Sequence, residues 1–306
     1  MRKIFLVTDY HCNNACISCA KRLDEKGMLS LEQIMQKLDS VQPTKDDYIE
    51  ISGGEPTLRP DILDICRSIN SRYNTNVVIL SNGRRFKDAS FVEQIRNTGV
   101  SRVMTTFYSP HQEIHDCITQ REGSFLEAVA GLKNLEAAGV PISVKTIILK
   151  QNYTDLSDFV SFAYDTFPSA WVSMHGLILR GHAKDNQKDI IIQYASIKPH
   201  IEKALDTAIK KNKNVGVFIL PSCIIDPAYW AYLSINWKQI TKTMIYISPE
   251  ETILGNLDTT QPEYCKDCLI NHNCSWAWES AWKEYIALFG TAELNKVTKD
   301  NVRYTA

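Results

Sequence analysis

Short apolar runs alternate with amphipathic stretches along the first two thirds of the chain. Lys3–Thr8, Asp47–Ser52, Asn76–Ser81, Arg102–Thr106, Ile142–Leu149 and Ala170–Leu179 are compact runs rich in β-branched residues, and they predict strands. Ser30-Leu31-Glu32-Gln33 is a capping box that opens a helix to about Ser40. From about Asp61, residues Ile62, Ile65, Cys66 and Ile69 recur on one helical face, and Ala89–Asn97, Ser124–Ala138 and Thr154–Thr166 repeat that period. Gly99 and Gly139 fall just past helix ends, and Pro141 just ahead of a strand. Six strands alternating with five helices describe βαβ units and a parallel sheet. They are too few to close an eight-stranded barrel. The expectation is an α/β fold: a partial (β/α)6 TIM-like barrel over residues 1–215.

After Gly181 the pattern changes. Ile190–Lys210 is a long helical segment, and a short strand, Val215–Ile219, leads to Pro221-Ser222-Cys223. Thr243–Ile247 and Thr252–Leu257 are β-like and joined through Pro249-Glu250-Glu251 as a hairpin, and a helix runs from about Trp278 to Leu288. Residues 216–306 thus read as a bridge followed by a small hairpin, cysteine and helix module, without repeats or low-complexity segments.

Composition narrows the function classes. Thirty-four Lys and Arg against 35 Asp and Glu leave a formal charge of −1, which carries no footprint for nucleic acid or an anionic membrane. The apolar run after Arg2-Lys3 is too short for a signal peptide, and no stretch approaches the ~20 apolar residues of a membrane span. A cytoplasmic location follows as an expectation. Thiols stay reduced there, so the nine cysteines read as ligands, nucleophiles or core residues rather than disulfides.

Six of those cysteines form two groups. Cys12, Cys16 and Cys19 make a C-x3-C-x2-C motif in the loop after the first strand, and Cys265, Cys268 and Cys274 make C-x2-C-x5-C near the other end. Thiolates so closely spaced wrap around one soft metal centre, an iron–sulfur cluster or zinc. Three ligands leave one coordination position open, which a purely structural site avoids.

Cys12-x3-Cys16-x2-Cys19 after the first strand, with Gly53-Gly54-Glu55-Pro56 after the second, resembles the radical S-adenosylmethionine (SAM) superfamily. The resemblance extends over about residues 3–183, through Ser81-Asn82-Gly83, Thr106, His115-Asp116 and Gly123-Ser124-Phe125. It implies that Cys12, Cys16 and Cys19 hold three irons of a [4Fe–4S] cluster whose fourth iron binds SAM. It also implies that Gly53, Gly54, Glu55 and Pro56 lie at the methionine end of SAM. Backbone at Gly53 and Gly54 can approach a ligand closely because neither carries a Cβ. Ser81, Asn82 and Thr106 sit at strand C-terminal ends, where such folds bind ligands; ordinary strand-end capping explains them equally. Ser18 departs from the family pattern, which often has an aromatic residue beside the third cysteine.

The tail resembles the auxiliary-cluster module called Twitch, which implies a second iron–sulfur cluster, [4Fe–4S] by type, held by Cys265, Cys268 and Cys274. The family's cysteine before the hairpin is missing, since residues 224–264 hold none. Asp258, Asp267, His272, Cys223 or a substrate atom is left as fourth ligand, and a zinc knuckle is the alternative. Over its whole length, in the phrase Val7-Thr8-Asp9-Tyr10-His11-Cys12-Asn13-Asn14-Ala15-Cys16, and in the lone Cys223, the chain is similar to radical SAM peptide epimerases. That implies inversion of L- to D-residues, typically aliphatic, in a ribosomally made precursor peptide. An electron donor such as flavodoxin or ferredoxin is the second partner. Other readings are a peptide cyclase, an enzyme of cofactor or tRNA modification, and a metal-stapled binding module.

Three cysteines stand alone. Cys66 shares its helix face with isoleucines and reads as core, while Cys117 follows His115-Asp116 in what reads as a polar loop. Cys223 is expected at a strand end, where side chains point into the site. Inversion at Cα needs a hydrogen-atom donor opposite the abstracting radical, and a thiol with its weak S–H bond suits that role; a buried structural cysteine is the plain alternative. Tyr229, Trp230, Tyr232 and Trp237 line the peptide's path or pack the two modules together. Only eleven residues precede Cys12, which predicts that leader recognition uses the barrel rim or the tail.

Overall fold

A computed structural model describes residues 2–21, 27–233, 244–255, 260–271, 274 and 279–298. Seven strands pair in sequence order as one parallel sheet: β1 (Lys3–Asp9), β2 (Tyr48–Gly53), β3 (Asn76–Ser81), β4 (Arg102–Thr106), β5 (Ile142–Ile147), β6 (Trp171–His175) and β7 (Val215–Phe218). Helices α1 (Leu31–Val41), α2 (Ile62–Tyr73), α3 (Ala89–Arg96), α4 (Gln112–Thr119), α5 (Ser124–Ala137) and α6 (Leu156–Thr166) fill the crossovers between β1 and β6. After β6 come α7 (Gly181–Asp185), α8 (Gln187–Ile190) and α9 (Tyr194–Lys210). This is the parallel α/β fold of a partial TIM-like barrel.

Alternation along each strand fixes which face meets the helices. Ile4 and Leu6 of β1, Ile49 and Ile51 of β2, and Val77 and Ile79 of β3 are all fully buried. Ile62, Ile65, Cys66 and Ile69 of α2 belong to the same apolar cluster, so Cys66 is core. The Ser30 capping box is present, with Gln33 as its reciprocal partner.

The expected tail hairpin is joined to the barrel sheet. Strand β8 (Met244–Ile247) pairs parallel with β1, and β9 (Thr252–Leu254) returns antiparallel to β8. The hairpin thereby extends the barrel sheet to nine strands, in the order β7-β6-β5-β4-β3-β2-β1-β8-β9. Helix α10 (Glu279–Phe289) follows the second cysteine group. Thr243, Leu257 and Trp278, expected as element ends, lie outside the described residues, as does Trp237.

Two local expectations are corrected. The segment holding His115, Asp116 and Cys117 is helix α4, not a loop, and Cys117 is exposed on it. Cys223 does not end a strand. β7 stops at Phe218, and Cys223 lies in a 3-10 turn, Ser222–Ile224. Ile219 between them has φ +59, a left-handed conformation uncommon for a β-branched residue, and it redirects the chain.

Candidate active site

The cluster-type loop begins at an irregularity in β1. The register against β2 shifts between Val7 and Asp9, so that Asp9 lies opposite Gly53. Such a bulge re-aims a strand end, here into the segment carrying Cys12, Cys16 and Cys19. Arg59, itself buried, closes the base of this loop by donating to the carbonyls of Thr8 (3.1 Å) and Leu29 (3.0 Å).

The glycine pair is packed against the loop itself. Gly54 N–H donates to the Asp9 carbonyl at 2.9 Å and Glu55 N–H to that of His11 at 2.7 Å. A Cβ on Gly53 would stand 2.0 Å from the Asp9 oxygen, and one on Gly54 2.1 Å from the His11 oxygen. The absent side chains thus make room first for the protein's own backbone.

Glu55 is buried, and its carboxylate is the hub of a preassembled group. Oε1 accepts from Thr57 N–H (3.1 Å) and Ser81 Oγ (2.8 Å), and Oε2 from Asn82 N–H (2.6 Å). Burial is the largest influence on this carboxyl and raises its pKa; the bonds from Asn82, Thr57 and Ser81 oppose it. Pro56 starts the 3-10 turn, Pro56–Leu58, that Glu55 caps. Glu55, Ser81 and Asn82 are therefore brought together, whereas Thr106 stands at the end of the next strand, half-buried and opposite Lys145 in register.

Arg84 is a residue that sequence reasoning missed. Its Nη1 donates to the Asn13 carbonyl and to Asn14 Oδ1, both at 2.7 Å, and its Nε pairs with Glu127 at 2.6 Å. Asn82 Nδ2 adds a bond to Asn13 Oδ1 at 2.6 Å. The signal was faint: an arginine directly after Ser81-Asn82-Gly83 at a strand end. From another side, Ala15 and Ile17 N–H donate to the carbonyls of Thr119 and Ile118, both at 3.0 Å, at the end of α4. The Tyr108 hydroxyl meets Ser18 Oγ at 2.9 Å, so an aromatic from beyond β4 reaches the position flanking Cys19.

The loop's thiols fit a cationic centre. Burial, followed by its neighbours' charges, lifts the Cys12 thiol to about 11 and Cys16 to about 12; Cys19 adds to both, and Cys12 and Cys16 are each half-buried. Three thiolates at such a place repel one another unless a metal centre supplies positive charge. Inside the barrel the wall is polar as well. Lys3 and Glu50 pair at 2.8 Å, and Lys145 and His175 project from β5 and β6 on the same face of the sheet. Burial depresses both, and for His175 the Lys145 charge follows as the next cause.

Cys223 has moved into the company of the tail cysteines. A cavity is lined by Cys223, Cys265, Cys268 and Cys274, with Pro221 and Tyr264 among its other walls. Burial, then the charges of Cys274, Cys265 and Cys268, lifts the Cys223 thiol to about 12. Ser222 N–H points to Cys274 Sγ at 3.4 Å. Four thiols around one cavity are a donor set for an iron–sulfur cluster, although no three His, Cys, Asp or Glu side chains among the described residues stand close enough to share a single metal ion. Asp267 is highly exposed and pairs at 3.3 Å with Lys296, which lines this cavity although Asp267 itself does not; Asp258 and His272 lie outside the described residues. Trp230 Nε1 caps the Cys223 turn through the Ser222 and Ile225 carbonyls (3.2 and 3.1 Å), and the Tyr229 hydroxyl bonds to Asp206 of α9 at 2.7 Å. Both aromatics pack against the core.

A parallel barrel with a three-cysteine loop after its first strand, locked onto a Gly-Gly-Glu turn after its second, defines a cluster-dependent SAM enzyme. The chain belongs to the Radical SAM superfamily, whose pattern matches residues 7–163. It is similar to the AdoMet-dependent heme synthase of Methanosarcina barkeri, 27% identical over 152 residues that make up 48% of this chain and 42% of that one. It is also similar to the mycofactocin maturase MftC of Mycobacterium tuberculosis, 29% identical over 157 residues, 50% of this chain and 39% of that one. The matched region spans about two fifths of these curated relatives. Streptococcus suis SuiB bound to its precursor peptide SuiA shares the fold, with a TM-score of 0.62 at 15% identity over 96% of this chain and 70% of SuiB.

Proposed function

We propose that this protein is a radical SAM peptide epimerase that converts L- to D-residues, aliphatic ones foremost, in a ribosomally made precursor peptide. The observation that carries the reading is the placement of two thiol chemistries at one barrel mouth. The cluster loop leaves the C-terminal end of β1 and the Cys223 segment follows that of β7, with five parallel strands between them in the sheet. The sheet curls enough for the segment after β6 to touch the cluster loop, since Ala183 N–H donates to the Cys19 carbonyl at 2.8 Å. In this reading a peptide lying across the mouth would meet one group on each face. A precursor peptide bound by SuiB and a maturase among the relatives support a peptide substrate.

Cys12, Cys16 and Cys19 would hold the [4Fe–4S] cluster, and Gly53, Gly54, Glu55, Pro56, Ser81, Asn82 and Thr106 would surround SAM. When bound, and given one electron from flavodoxin or ferredoxin, cluster and SAM would supply methionine and a 5′-deoxyadenosyl radical able to remove the Cα hydrogen. Cys223 gives its thiol hydrogen to the opposite face of Cα, and its sulfur is left one hydrogen atom short. A second electron from the same donor and one proton from solvent restore the thiol. The reading places the enzyme in the cytoplasm, where thiols stay reduced; no described helix is long and apolar enough to cross a membrane.

The shared cavity favours one second reading, in which Cys223 is the fourth ligand of an auxiliary cluster held by Cys265, Cys268 and Cys274. Turnover of Cys223→Ala in D2O separates the two. The epimerase reading expects deuterium at each inverted Cα with the parent enzyme, and no D-residues with the variant, while both clusters and SAM cleavage persist. Loss of the tail cluster in the variant would make Cys223 a ligand. A product lighter by two hydrogens would make the enzyme a cyclase.

A further inference from the structure

The outer side of the cluster loop is held by a segment that neither cysteine motif announces. Gly181 opens α7 with φ +51, and a Cβ there would stand 2.6 Å from the Ala20 carbonyl oxygen. Four donors from the next residues then meet loop carbonyls in turn. His182 N–H donates to Lys21 at 3.2 Å and Ala183 N–H to Cys19 at 2.8 Å. His182 Nδ1 meets the Cys16 carbonyl at 3.0 Å, and Asn186 Nδ2 that of Ile17 at 3.2 Å. A carbonyl only accepts, so Nδ1 of His182 carries the proton. Asn186 Nδ2 also bonds to the His182 carbonyl at 3.0 Å, and Lys184 pairs with Glu284 of α10 at 2.7 Å, so the segment is braced from behind.

We propose that His182 and Asn186 are positioning residues for the N-terminal cluster. Their side chains fix the carbonyls of Cys16 and Ile17 while the adjoining amides of His182 and Ala183 take those of Lys21 and Cys19, and together they hold two of the three ligand thiols at the separation the cluster requires. The α7 backbone amides do not reach this far: those of Ala183 and His182 meet Cys19 and Lys21, the Cys16 carbonyl takes the His182 side chain beside a bond from Cys19 N–H at 3.1 Å within the loop, and the Ile17 carbonyl takes Asn186 Nδ2. Partners behind a ligand typically govern metal affinity by 10–100-fold. The proposal rests on family membership and not on the epimerase reading, and epimer yield plays no part in its test.

The test uses the full chain, reconstituted anaerobically, with iron loss from the N-terminal cluster to a chelator followed by the SAM-responsive EPR signal of that cluster. His182→Ala and Asn186→Asp should each lose that cluster at least about 10-fold faster than the parent. His182→Asn should restore the parent rate, because its amide Nδ2 donates from near the place of the imidazole Nδ1. Asn186→Asp keeps the shape while removing the donor, so it remains informative if His182→Ala fails to fold. Parent-like loss rates in Asn186→Asp, or a His182→Asn variant as labile as His182→Ala, would overturn the proposal.

Discussion

The main-chain amide of Glu55 donates to the carbonyl of His11 at 2.7 Å, which ties the residue after the glycine pair to the one before the first cluster cysteine. Two motifs that are distant in sequence are therefore one rigid object. The cysteine loop takes its shape from the turn after β2, and that turn can lie so close only because residues 53 and 54 lack side chains. Ligand approach and loop packing make the same demand for glycine, and the packing demand is already met before any ligand arrives.

Gly54→Ala should consequently cost more than a glycine substitution elsewhere. Its Cβ would meet backbone, not a side chain that can swing away, and overpacking of this kind costs about 1–3 kcal/mol. The expected result is a Tm lower by roughly 5 °C together with loss of the N-terminal cluster. Gly139→Ala is the comparison, since its φ is +72 but nothing lies within 4 Å of the new methyl. It should show only left-handed strain, ~1 kcal/mol, and full iron content.

Removing all three loop thiols in a Cys12→Ala, Cys16→Ala, Cys19→Ala variant should halve the iron of the reconstituted protein, from about eight to about four atoms if both sites carry four-iron clusters. SAM cleavage to 5′-deoxyadenosine should disappear. Retained cleavage would contradict the assignment of this loop. About four irons plus one zinc in the parent protein would mark the tail as a zinc site.

The sheet and the cluster motif were legible because both rest on local periodicity and spacing. Ile62, Ile65, Cys66 and Ile69 recur on one helical face, and that face is the one buried. Helix α4 was not legible, because a polar-looking His115 occupies one of its few inward positions, against Phe107 at 4.7 Å. The pairing of β8 with β1 joins residues some 240 apart, and no period records such a contact. Arg84, His182 and Asn186 were missed for the same reason: each reads as a surface residue until the fold sets a carbonyl in front of it.

His115 gives the protein a pH dependence of predictable sign. Burial depresses its imidazole to about 4, and Nδ1 accepts from Tyr108 N–H at 3.3 Å, which requires the neutral ring. Unfolded chains protonate this histidine near 6.5, so the unfolded state binds more protons between pH 6.5 and 4. Stability is thus full above that window and falls by roughly 3 kcal/mol as the pH drops through it. His115→Asn, whose side-chain oxygen can replace the Nδ1 acceptor, should unfold with a shallower pH dependence over the same range. Parallel profiles would exclude His115 as the source.

Lys145 poses the opposite case, a residue retained at a cost to the fold. It stands beside Thr106 on the inner wall, and burial, opposed by Glu50, lowers its pKa. Glu50 is already paired with Lys3 at 2.8 Å, and no hydrogen bond or ion pair engages the Lys145 ammonium among the described residues. A poorly solvated charge without a partner is replaced by an apolar side chain with a gain of ~1 kcal/mol. Lys145→Met should therefore raise Tm at pH 7 by about 2–4 °C. The sign also fixes the pH trend: between its lowered native pKa and its unfolded value the unfolded state holds the extra proton, so the parent gains stability with rising pH and the gap to the variant closes. Function should move the other way. If this ammonium waits for an acidic or carbonyl group of SAM or peptide, Lys145→Met will show weaker ligand binding and slower turnover with undiminished iron, and Lys145→Arg will recover part of both. A variant that is neither more stable nor less active would show that the charge is already satisfied within the barrel.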